Sequence, residues 1–327
     1  MNLRKVTLYL VCLIIGVVSC KKDDNPDPVV VEIRDRAEQQ LSDMDSIHKY
    51  LDSHYYNSEE IANLGTAASL SDIVITKLVA GETEAPVGHT KLRVAVGEPK
   101  TTNYAGIIYE YYVLKLNQGG GSETPKFCDR ILYHYEGFTL DDVVFDYSVN
   151  PADSNLIGNG VNDAGLIAGW RKVIPAFNTA ESFVENGDGT VTYLNKGLGV
   201  MFLPSGLAYF SSATGSISAY SPIIFKFELL QTSENDHDGD GVPSYLEDLN
   251  NDGEFYVNYE DLTDTTDDDT NGNGYANYID ADDDGDGIST INEDINNDGD
   301  PTNDDSNGNG IPNYLDKTDK IKKALIK

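Results

Sequence analysis

The stretch "RILYHYEGFTLDDVVFDYS", Arg130 to Ser148, alternates large apolar residues with other residue types along its first half. Ile131, Tyr133 and Tyr135 stand at every second position, so an extended chain places them on one face. After a turn, Phe145 stands beside Asp146. The pattern predicts a strand with an aromatic face, then a turn and a segment that presents a ring next to a carboxylate.

Two blocks further along carry related patterns. "LIAGWRKVIPAF", residues 166–177, contains the only Trp of the chain. "GVMFLPSGLAYFSS", residues 199–212, leads to "SPIIFKFELLQ", residues 221–231. The period of two in this last segment predicts a strand with four apolar residues on one face: Ile223, Phe225, Phe227 and Leu229.

Taken together and in this order, these blocks resemble the FKBP-type peptidyl-prolyl isomerases, whose pattern is HYxG, FDSS, VIxGW, P…AYG and a closing FxVELL strand. The resemblance covers residues 106–232, with Phe210 following Tyr209 where the family prefers Gly. It implies an α+β fold in which an antiparallel sheet curls around one short helix, with an aromatic pocket between them.

Carried over position by position, the resemblance implies a catalytic pocket of eight residues: Tyr135, Phe145, Asp146, Leu166, Ile167, Trp170, Tyr209 and Phe225. Trp170 is implied as the floor, and Asp146 and Tyr209 as the polar rim. Leu166 and Ile167 are implied to give apolar contact and a backbone N–H for a substrate carbonyl. For any single aromatic residue, ordinary core packing is the alternative role.

The residue types suit the isomerisation of X-Pro bonds, which have a barrier of roughly 18–20 kcal/mol because of their partial double-bond character. A dry aromatic pocket favours the twisted, less polar amide, so neither a nucleophile nor a catalytic cofactor is needed. The sequence has no HExxH, GxSxG or Walker motif, and its five His residues lack catalytic or zinc spacing. The expected partners are proline-containing polypeptides.

The N-terminus has the pattern of an export signal. Arg4 and Lys5 precede an apolar run from Val6 to Val18, too short to span a membrane comfortably. The run ends in "VVSC", which resembles the lipobox of bacterial lipoproteins, and "KKDD" behind it resembles the surface-export signal of Bacteroidetes lipoproteins. We therefore expect a signal peptide over 1–19, lipidation of Cys20, a tether over 20–32, and an outer-membrane lipoprotein whose leaflet stays open.

Residues 33–105 form an N-terminal segment that begins with an amphipathic pattern. Apolar residues at steps of three or four predict one helix from Glu32 to about Tyr55, whose stripe either packs on its own domain or forms a dimer seam. The stripe consists of Ile33, Ala37, Leu41, Met44, Ile47 and Leu51. "KLRVAV" (91–96) and "GIIYEYYVLKL" (106–116) then read as strands, with a soft boundary near residue 105 and a loop over 117–125.

The formal charge of -32 argues against a nucleic-acid partner, which would require clusters of Lys and Arg. From Glu234 to Asp316 there are 26 acids and no Lys or Arg, whereas the remainder has 29 acids and 23 bases. The chain is thus a near-neutral body with an acidic module over 234–316 and a basic tail over 317–327. With Cys12 in the signal peptide and Cys20 lipidated, Cys128 is left as a free thiol.

The acidic module contains four loops with the spacing of EF-hand-type calcium loops, in which positions 1, 3, 5 and 12 supply oxygen ligands and position 6 is Gly. An offset of 46 residues relates the two halves of the module, which resembles thrombospondin type 3 calcium repeats. We expect structural Ca²⁺ and no helix-paired sensor. The predicted ligands are Asp236, Asp238, Asp240 and Glu247; Asp269, Asn271, Asn273 and Asp280; Asp282, Asp284, Asp286 and Glu293; and Asp305, Asn307, Asn309 and Asp316.

Two functions follow from these patterns. The first is a lipid-anchored prolyl isomerase for exported or cell-envelope proteins, with the calcium repeats as a stalk or shield. The alternative is a non-catalytic, calcium-dependent surface, adhesion or peptide-binding lipoprotein. Since Phe225 is the last implied pocket residue along the chain, the sequence predicts that removing residues 234–327 leaves isomerase activity largely intact.

Overall fold

A seven-stranded antiparallel sheet organises the computed structural model, which describes residues 33–264 and 266–323. The predicted signal peptide, Cys20 and the tether lie outside the described residues. The described part of Asp35–Lys327 forms one compact unit. Within this part, no helix combines the length and the apolar character needed to cross a membrane.

Four α-helices and twelve strands are found in the described residues. The helices are α1 (Arg36–Ser53), α2 (Ser58–Leu64), α3 (Leu92–Val96) and α4 (Ala168–Val173). The strands are β1 (His54–Tyr56), β2 (Ile75–Lys77), β3 (Thr90–Lys91), β4 (Lys100–Tyr104), β5 (Ile107–Asn117), β6 (Arg130–Thr139), β7 (Val144–Tyr147), β8 (Ala152–Asn155), β9 (Ser182–Glu185), β10 (Val191–Leu194), β11 (Gly197–Leu203) and β12 (Ile223–Ser233).

The main sheet has the order β4-β5-β11-β12-β6-β7, and β8 pairs with β6 beside β7. In this register Phe225 of β12 stands opposite Gly137 of β6, and Phe227 opposite Tyr135. Three strands form a small separate sheet in the order β2-β1-β3, and β9 and β10 form a hairpin. The antiparallel sheet with few helices agrees with the predicted fold class. Because β4 pairs with β5, the sheet runs across the soft boundary near residue 105.

Each face of the main sheet carries its own hydrophobic core. Helix α4 and the aromatic side chains of β6 and β12, including Trp170 and Phe225, form the front core. Residues of the N-terminal segment, including Ile47 and Leu51 of α1, pack with Phe202 and Ile224 in the back core. Alternate residues of β12 therefore enter opposite cores, and the N-terminal segment covers the back of the sheet.

Helix α1 differs from its prediction in both ends and orientation. It begins at Arg36 because the Asp35 carboxylate accepts hydrogen bonds from the Ala37 and Glu38 amides, and it ends at Ser53. Of the predicted stripe, Met44, Ile47 and Leu51 are buried, whereas Ile33, Ala37 and Leu41 are exposed. The helix is rotated relative to the predicted stripe, because its buried face includes Asp43. The Asp43 carboxylate accepts hydrogen bonds from Ser205 N (2.7 Å) and Ser205 Oγ (2.6 Å).

The prediction of a strand over "KLRVAV" is wrong for most of its length. Only Lys91 belongs to a strand, and Leu92–Val96 form α3. Leu92 and Val96 are buried while Val94 is 72% exposed, so burial follows the four-residue spacing of a helix and not the alternation of a strand. Gly97, with φ 66°, ends the helix in the left-handed region that Gly adopts readily.

The acidic module has no α-helix or strand among its described residues 234–264 and 266–316, in keeping with the expected lack of paired helices. Its regular structure consists of five 3₁₀ turns: Ser244–Leu246, Asn277–Ile279, Thr290–Asn292, Pro301–Asn303 and Asn313–Leu315. Val257, Ala276 and Tyr278 form a small core of their own with Phe255. In the basic tail, Lys320 Nζ donates to the Asp286 carbonyl (3.0 Å), so the tail folds back on the module.

Candidate functional site

An aromatic cluster at the front of the sheet centres on Trp170 of α4. The Trp170 ring centroid lies 4.8 Å from that of Tyr133, 5.2 Å from that of Phe225 and 6.0 Å from that of Tyr135. Phe145 of β7 meets Phe225 edge-on at 5.5 Å. Trp170 and Phe225 are only 3% and 4% exposed, while Tyr135 and Phe145 are half-buried. We call Tyr135, Phe145, Trp170 and Phe225 the aromatic pocket, with two rings at its base and two nearer its mouth.

Gly137 lets two rings of the pocket approach β6. A Cβ atom at this position would lie 2.6 Å from both Phe145 Cζ and Phe225 Cε1, closer than real Cβ contacts. In the sheet, Gly137 stands opposite both Phe225 and Asp146. It is the Gly of the HYxG pattern, and the structure gives that pattern a reason: any side chain here would displace the rings.

The rim of the pocket has a defined polar contact. Tyr135 Oη donates to Asp146 Oδ2 (2.8 Å), and the Tyr147 amide donates to Asp146 Oδ1 (2.9 Å). Burial, reinforced by the bond to Asp146, raises the pKa of Tyr135 above its ordinary value. Tyr135 therefore stays a neutral donor at physiological pH, and it holds the exposed carboxylate at the mouth of the pocket.

Leu166, Ile167 and Tyr209 pack against the same front core. The Leu166 amide donates to Asn155 O (3.2 Å). Ile167 comes directly before α4, and its amide has no acceptor among the described residues. The Tyr209 hydroxyl likewise has no hydrogen-bond partner in the described part of the chain, and burial followed by the Asp146 charge raises its pKa. The structure thus brings all eight implied pocket residues to one place and leaves two donors there unused.

The segment that carries Tyr209 is held from behind by α1. Phe210 has φ 46°, a conformation that costs energy for a residue with a Cβ, at the position where a Gly would be expected. The Arg36 guanidinium lies 4.1 Å above the Phe210 ring, and the Phe210 amide donates to Ser205 O (2.8 Å). Together with the bonds of Asp43 to Ser205, these contacts tie α1 to the rim, which the sequence did not predict.

The acidic module docks directly on the pocket helix α4. Arg171 donates two hydrogen bonds to the Glu254 carboxylate (3.1 and 2.7 Å), and Lys172 Nζ lies 2.6 Å from it. Lys172 also donates to Gly253 O (3.0 Å). All three side chains are largely buried, with 12%, 8% and 20% exposure for Arg171, Lys172 and Glu254. This clamp was not predicted, although a pair of bases beside the only Trp was the available signal.

A second set of contacts joins the module to the loop before α4. Tyr278 Oη donates to Gly158 O (3.1 Å), and the ring of Tyr278 stacks on Phe255 at 3.9 Å. His237 Nε2 lies 2.9 Å from Ile157 O, within hydrogen-bond distance. Since the loop continues from Gly158 to Leu166 and Ile167, the module supports one side of the aromatic pocket.

The two Asp-rich loops of the module aim unpartnered carboxylate oxygens inward. In the loop that starts at Asp236, Asp238 Oδ2, Asp240 Oδ2 and both oxygens of Glu247 are buried without a hydrogen-bond partner in the described residues. In the loop that starts at Asp282, the same holds for one oxygen of each of Asp282, Asp284 and Asp286 and for both oxygens of Glu293, and the Asp286 oxygen lies 3.7 Å from Lys320 Nζ. Buried oxygens in such numbers are the donor set that Ca²⁺ prefers, so both loops fit a calcium ion.

The pKa values of these acids show how costly their charge is without a cation. Burial, then repulsion from Asp283 and other carboxylates, raises the pKa of Glu247 to about 11. Burial and neighbouring charge likewise raise the pKa of Asp283 to about 10 and that of Glu293 to about 8. Without a counter-charge these groups hold protons at neutral pH.

Asp283 is a candidate ligand that the loop pattern missed. It occupies position 2 of the second Asp-rich loop, yet a carboxylate oxygen of Asp283 groups with oxygens of Asp240 and Glu247 from the first loop, all within 4.8 Å of one another. Asp283 Oδ2 accepts from Thr290 Oγ1 (2.9 Å), while Oδ1 is buried without a partner in the described part of the chain. The residue 46 positions earlier is His237, so the duplication gave no signal.

The two Asn-rich loops are closed in a different way. Asp280 Oδ2 accepts hydrogen bonds from Asn271 Nδ2 (2.8 Å) and Asn273 Nδ2 (2.7 Å). The equivalent hydrogen bonds in the last loop join Asn307 and Asn309 to Asp316. Hydrogen bonds from the Thr318 hydroxyl and amide, and then from these two Asn side chains, lower the pKa of Asp316 to about 2. Amide groups here meet the last acid of the loop directly, and calcium binding by these two loops stays a prediction.

Comparison with known proteins gives a family model and a distant curated relative. The model described as "BamM C-terminal" matches residues 237–299. The FKBP-type peptidyl-prolyl cis-trans isomerase FkpA of Aeromonas hydrophila is 29% identical over 133 residues, which are 41% of this chain and 41% of the relative. The chain thus spans about two fifths of the length of this curated relative.

Two solved structures are also similar to this chain. A peptidyl-prolyl cis-trans isomerase of Pseudomonas syringae has a TM-score of 0.31 and 21% identity, and the match covers 43% of this chain and 86% of the other. FkpA of Escherichia coli has a TM-score of 0.31 and 17% identity, with 71% and 74% covered. The distant sequence similarity to FkpA of Aeromonas hydrophila supports a fold like that of the FKBP-type peptidyl-prolyl isomerases.

Proposed function

We propose that this chain is a peptidyl-prolyl cis-trans isomerase that acts on exported or cell-envelope polypeptides. The observation that carries the proposal is the convergence of Tyr135, Phe145, Trp170 and Phe225 from three strands and a helix into one aromatic pocket. The distant similarity to FKBP-type isomerases supports the same function.

The pocket suits a reaction in which no covalent bond to the enzyme forms. The planar X-Pro amide owes its barrier to a charge-separated resonance form, and the twisted amide loses that charge separation. An apolar floor of Trp170 and Phe225 therefore favours the twisted amide over the planar one. Ile167 N–H and the Tyr209 hydroxyl, which have no protein acceptors among the described residues, can donate to the carbonyls that flank the proline. Each ~1.4 kcal/mol of selective stabilisation gives a tenfold rate.

The acidic module is proposed to hold structural Ca²⁺ in its two Asp-rich loops. The ligands in the first are Asp236, Asp238, Asp240 and Glu247, and in the second Asp282, Asp284, Asp286 and Glu293. Asp283 adds a carboxylate from the second loop to the first. The buried oxygens without partners support this assignment, because a divalent cation would offset their mutual repulsion. A bound Ca²⁺ would supply charge compensation to these carboxylates, and the proposed reaction does not need it.

The chain is also proposed to be an exported lipoprotein anchored through Cys20. The support is the "VVSC" sequence after an apolar run with the pattern of an export signal, because it resembles the lipobox, in which the Cys is the residue that is lipidated. Labelling of cells with a radioactive fatty acid should mark the wild-type chain and leave Cys20→Ser unmarked. Equal labelling of both would contradict lipidation at Cys20.

The isomerase proposal is tested by a protease-free assay of the full chain in calcium, with an X-Pro peptide whose cis and trans forms differ in fluorescence or in NMR shift. Acceleration of the exchange supports the proposal. If the wild-type chain binds the peptide and does not accelerate exchange, the alternative of a calcium-dependent peptide-binding or adhesion lipoprotein replaces it.

A further inference from the structure

Two cavities lie between the proposed isomerase site and the acidic module. The first, of about 380 Å³, is lined by Leu166, Ile167 and Ala208 on one side and by Glu254, Phe255 and Tyr278 on the other. Leu166 and Ile167 are themselves pocket residues, and Ala208 precedes Tyr209. The first cavity therefore begins where the aromatic pocket ends.

The second cavity, of about 700 Å³, continues from the first. Both are lined by Gly160, Phe255 and Tyr278, and the second extends to Tyr256, Tyr259 and Tyr275. These three tyrosines are 56%, 75% and 60% exposed. We call the two cavities together the module groove. Its second cavity is lined by these three exposed tyrosines, and its first cavity by residues of the aromatic pocket.

The charge of the groove limits what it can bind. Among the described residues that line it, the charged ones are Arg171, Glu254 and Glu260, and Arg171 is already bonded to Glu254. The module around the groove has 26 acids and no Lys or Arg between Glu234 and Asp316. A bound segment with positive side chains would gain from this field, whereas an acidic segment would be repelled.

We propose that the module groove binds the part of a substrate polypeptide that flanks the proline, and that it selects extended segments in which aromatic or apolar residues alternate with Lys or Arg. This rests on the proposed isomerase function and names its substrate class. Tyr rings provide rigid contact area at low entropic cost, and the surrounding carboxylates attract basic side chains. The acidic module is then part of the substrate site and more than a stalk.

The test compares three peptides with the full chain in calcium: a short X-Pro peptide, the same peptide extended by Tyr and Lys residues, and the extended peptide with Glu in place of Lys. The wild-type chain should give the highest kcat/KM with the Lys peptide. Tyr259→Ala and Tyr275→Ala should each lower that value about fivefold, the effect of losing one aromatic contact of ~1 kcal/mol, and leave the short peptide unchanged.

Controls separate the groove from general effects. Tyr259→Phe keeps the ring and should retain the preference. Phe183→Ala removes a ring of similar exposure (51%) on the β9–β10 hairpin and should change nothing. Equal kcat/KM for the Lys and Glu peptides, or unchanged values in both Tyr variants, would overturn the inference. Absence of catalysis with every peptide would contradict the isomerase function alone, since fluorescence anisotropy of the labelled Lys peptide still tests whether Tyr259→Ala weakens binding.

Discussion

Glu254 of the acidic module accepts two hydrogen bonds from Arg171, the residue that follows Trp170 on the pocket helix. Lys172 approaches the same carboxylate at 2.6 Å, so one acid contacts two basic side chains at a largely buried site. The contact joins the module to the element that supplies the pocket floor. It makes the two parts of the chain energetically dependent on each other.

Glu254→Ala should destabilise the folded chain by about 3 kcal/mol, because it leaves Arg171 and Lys172 buried without their partner. The matched control is Asp153→Ala, which breaks the Arg130–Asp153 pair. That pair also forms two hydrogen bonds, of 2.6 and 2.7 Å, but both side chains are about half exposed. Breaking it should therefore lower the free energy of unfolding by less than ~1 kcal/mol. Urea unfolding of both variants gives the comparison, and equal small losses would show that the clamp contributes nothing special.

Removing residues 234–327 should lower isomerase activity, in contrast to the outcome expected from the sequence alone. The truncation deletes Tyr278 and His237, which hold the loop at Gly158 and Ile157, and it leaves Arg171 and Lys172 without Glu254. We expect at least a tenfold loss of kcat/KM on short peptides, equal to ~1.4 kcal/mol in the transition state. A truncated chain that keeps its circular-dichroism spectrum and full activity would show that the module is dispensable for the pocket.

Phe145→Ala and Asp146→Val should each lower the rate enhancement tenfold or more (~1.4 kcal/mol) with the fold intact. Phe145 contributes its ring to the pocket wall, and Asp146 fixes the Tyr135 hydroxyl at 2.8 Å. Val144→Ala is the control, since Val144 lies on the same short strand and is 47% exposed. The measurement is the protease-free exchange assay, and unchanged rates in both pocket variants would place the reaction elsewhere.

What the sequence could show was set by local spacing. The period of two along β6 and β12 predicted the apolar faces of these strands, which belong to the front core around the pocket. The spacing of the calcium-loop template selected Glu247 and Glu293, whose carboxylate oxygens are buried. Such patterns report which side of an element is apolar or where ligands recur along the chain.

Tertiary polar contacts could not be read in the same way. In α1, the buried Asp43 accepts a hydrogen bond from Ser205, 162 residues later, and this contact places Asp43 and not the whole predicted apolar stripe on the buried face. Asp283 faces the first calcium loop although it belongs to the second. In "KLRVAV", tertiary burial of Leu92 and Val96 outweighed the strand propensity of the valines. Asp43 and Asp283 both meet partners that are distant in sequence.

Asp283→Asn should weaken calcium binding in the first loop, although Asp283 belongs to the second. Its carboxylate is within 4.8 Å of oxygens of Asp240 and Glu247, and the neutral amide cannot supply the same charge. We expect roughly a tenfold loss of affinity at one of at least two sites by calorimetry, as for loss of a supporting partner in a metal site. Asp153→Asn makes the same change of carboxylate to amide outside the module, at a residue bonded to Arg130, so it is the control and should leave the heats unchanged. Equal effects of both substitutions would contradict the shared site.

The stability of the calcium-free chain should fall as pH rises from 5 to 8. Burial and neighbouring carboxylates raise the pKa of Glu293 to about 8 and that of Glu247 to about 11, above the value near 4.3 of an unfolded Glu. A raised folded pKa gives stability that is complete below the unfolded pKa and is lost as pH rises toward the folded pKa. Across this window each such group removes up to ~1.4 kcal/mol per pH unit, until its own folded pKa is reached. Urea unfolding in chelator at several pH values measures the slope, and excess calcium should flatten it.

Glu247→Gln cannot ionise, so in chelator it should be more stable than wild type at pH 8 and should show a shallower slope. A wild-type chain that gains stability with pH in chelator would show that these acids are not buried together as described.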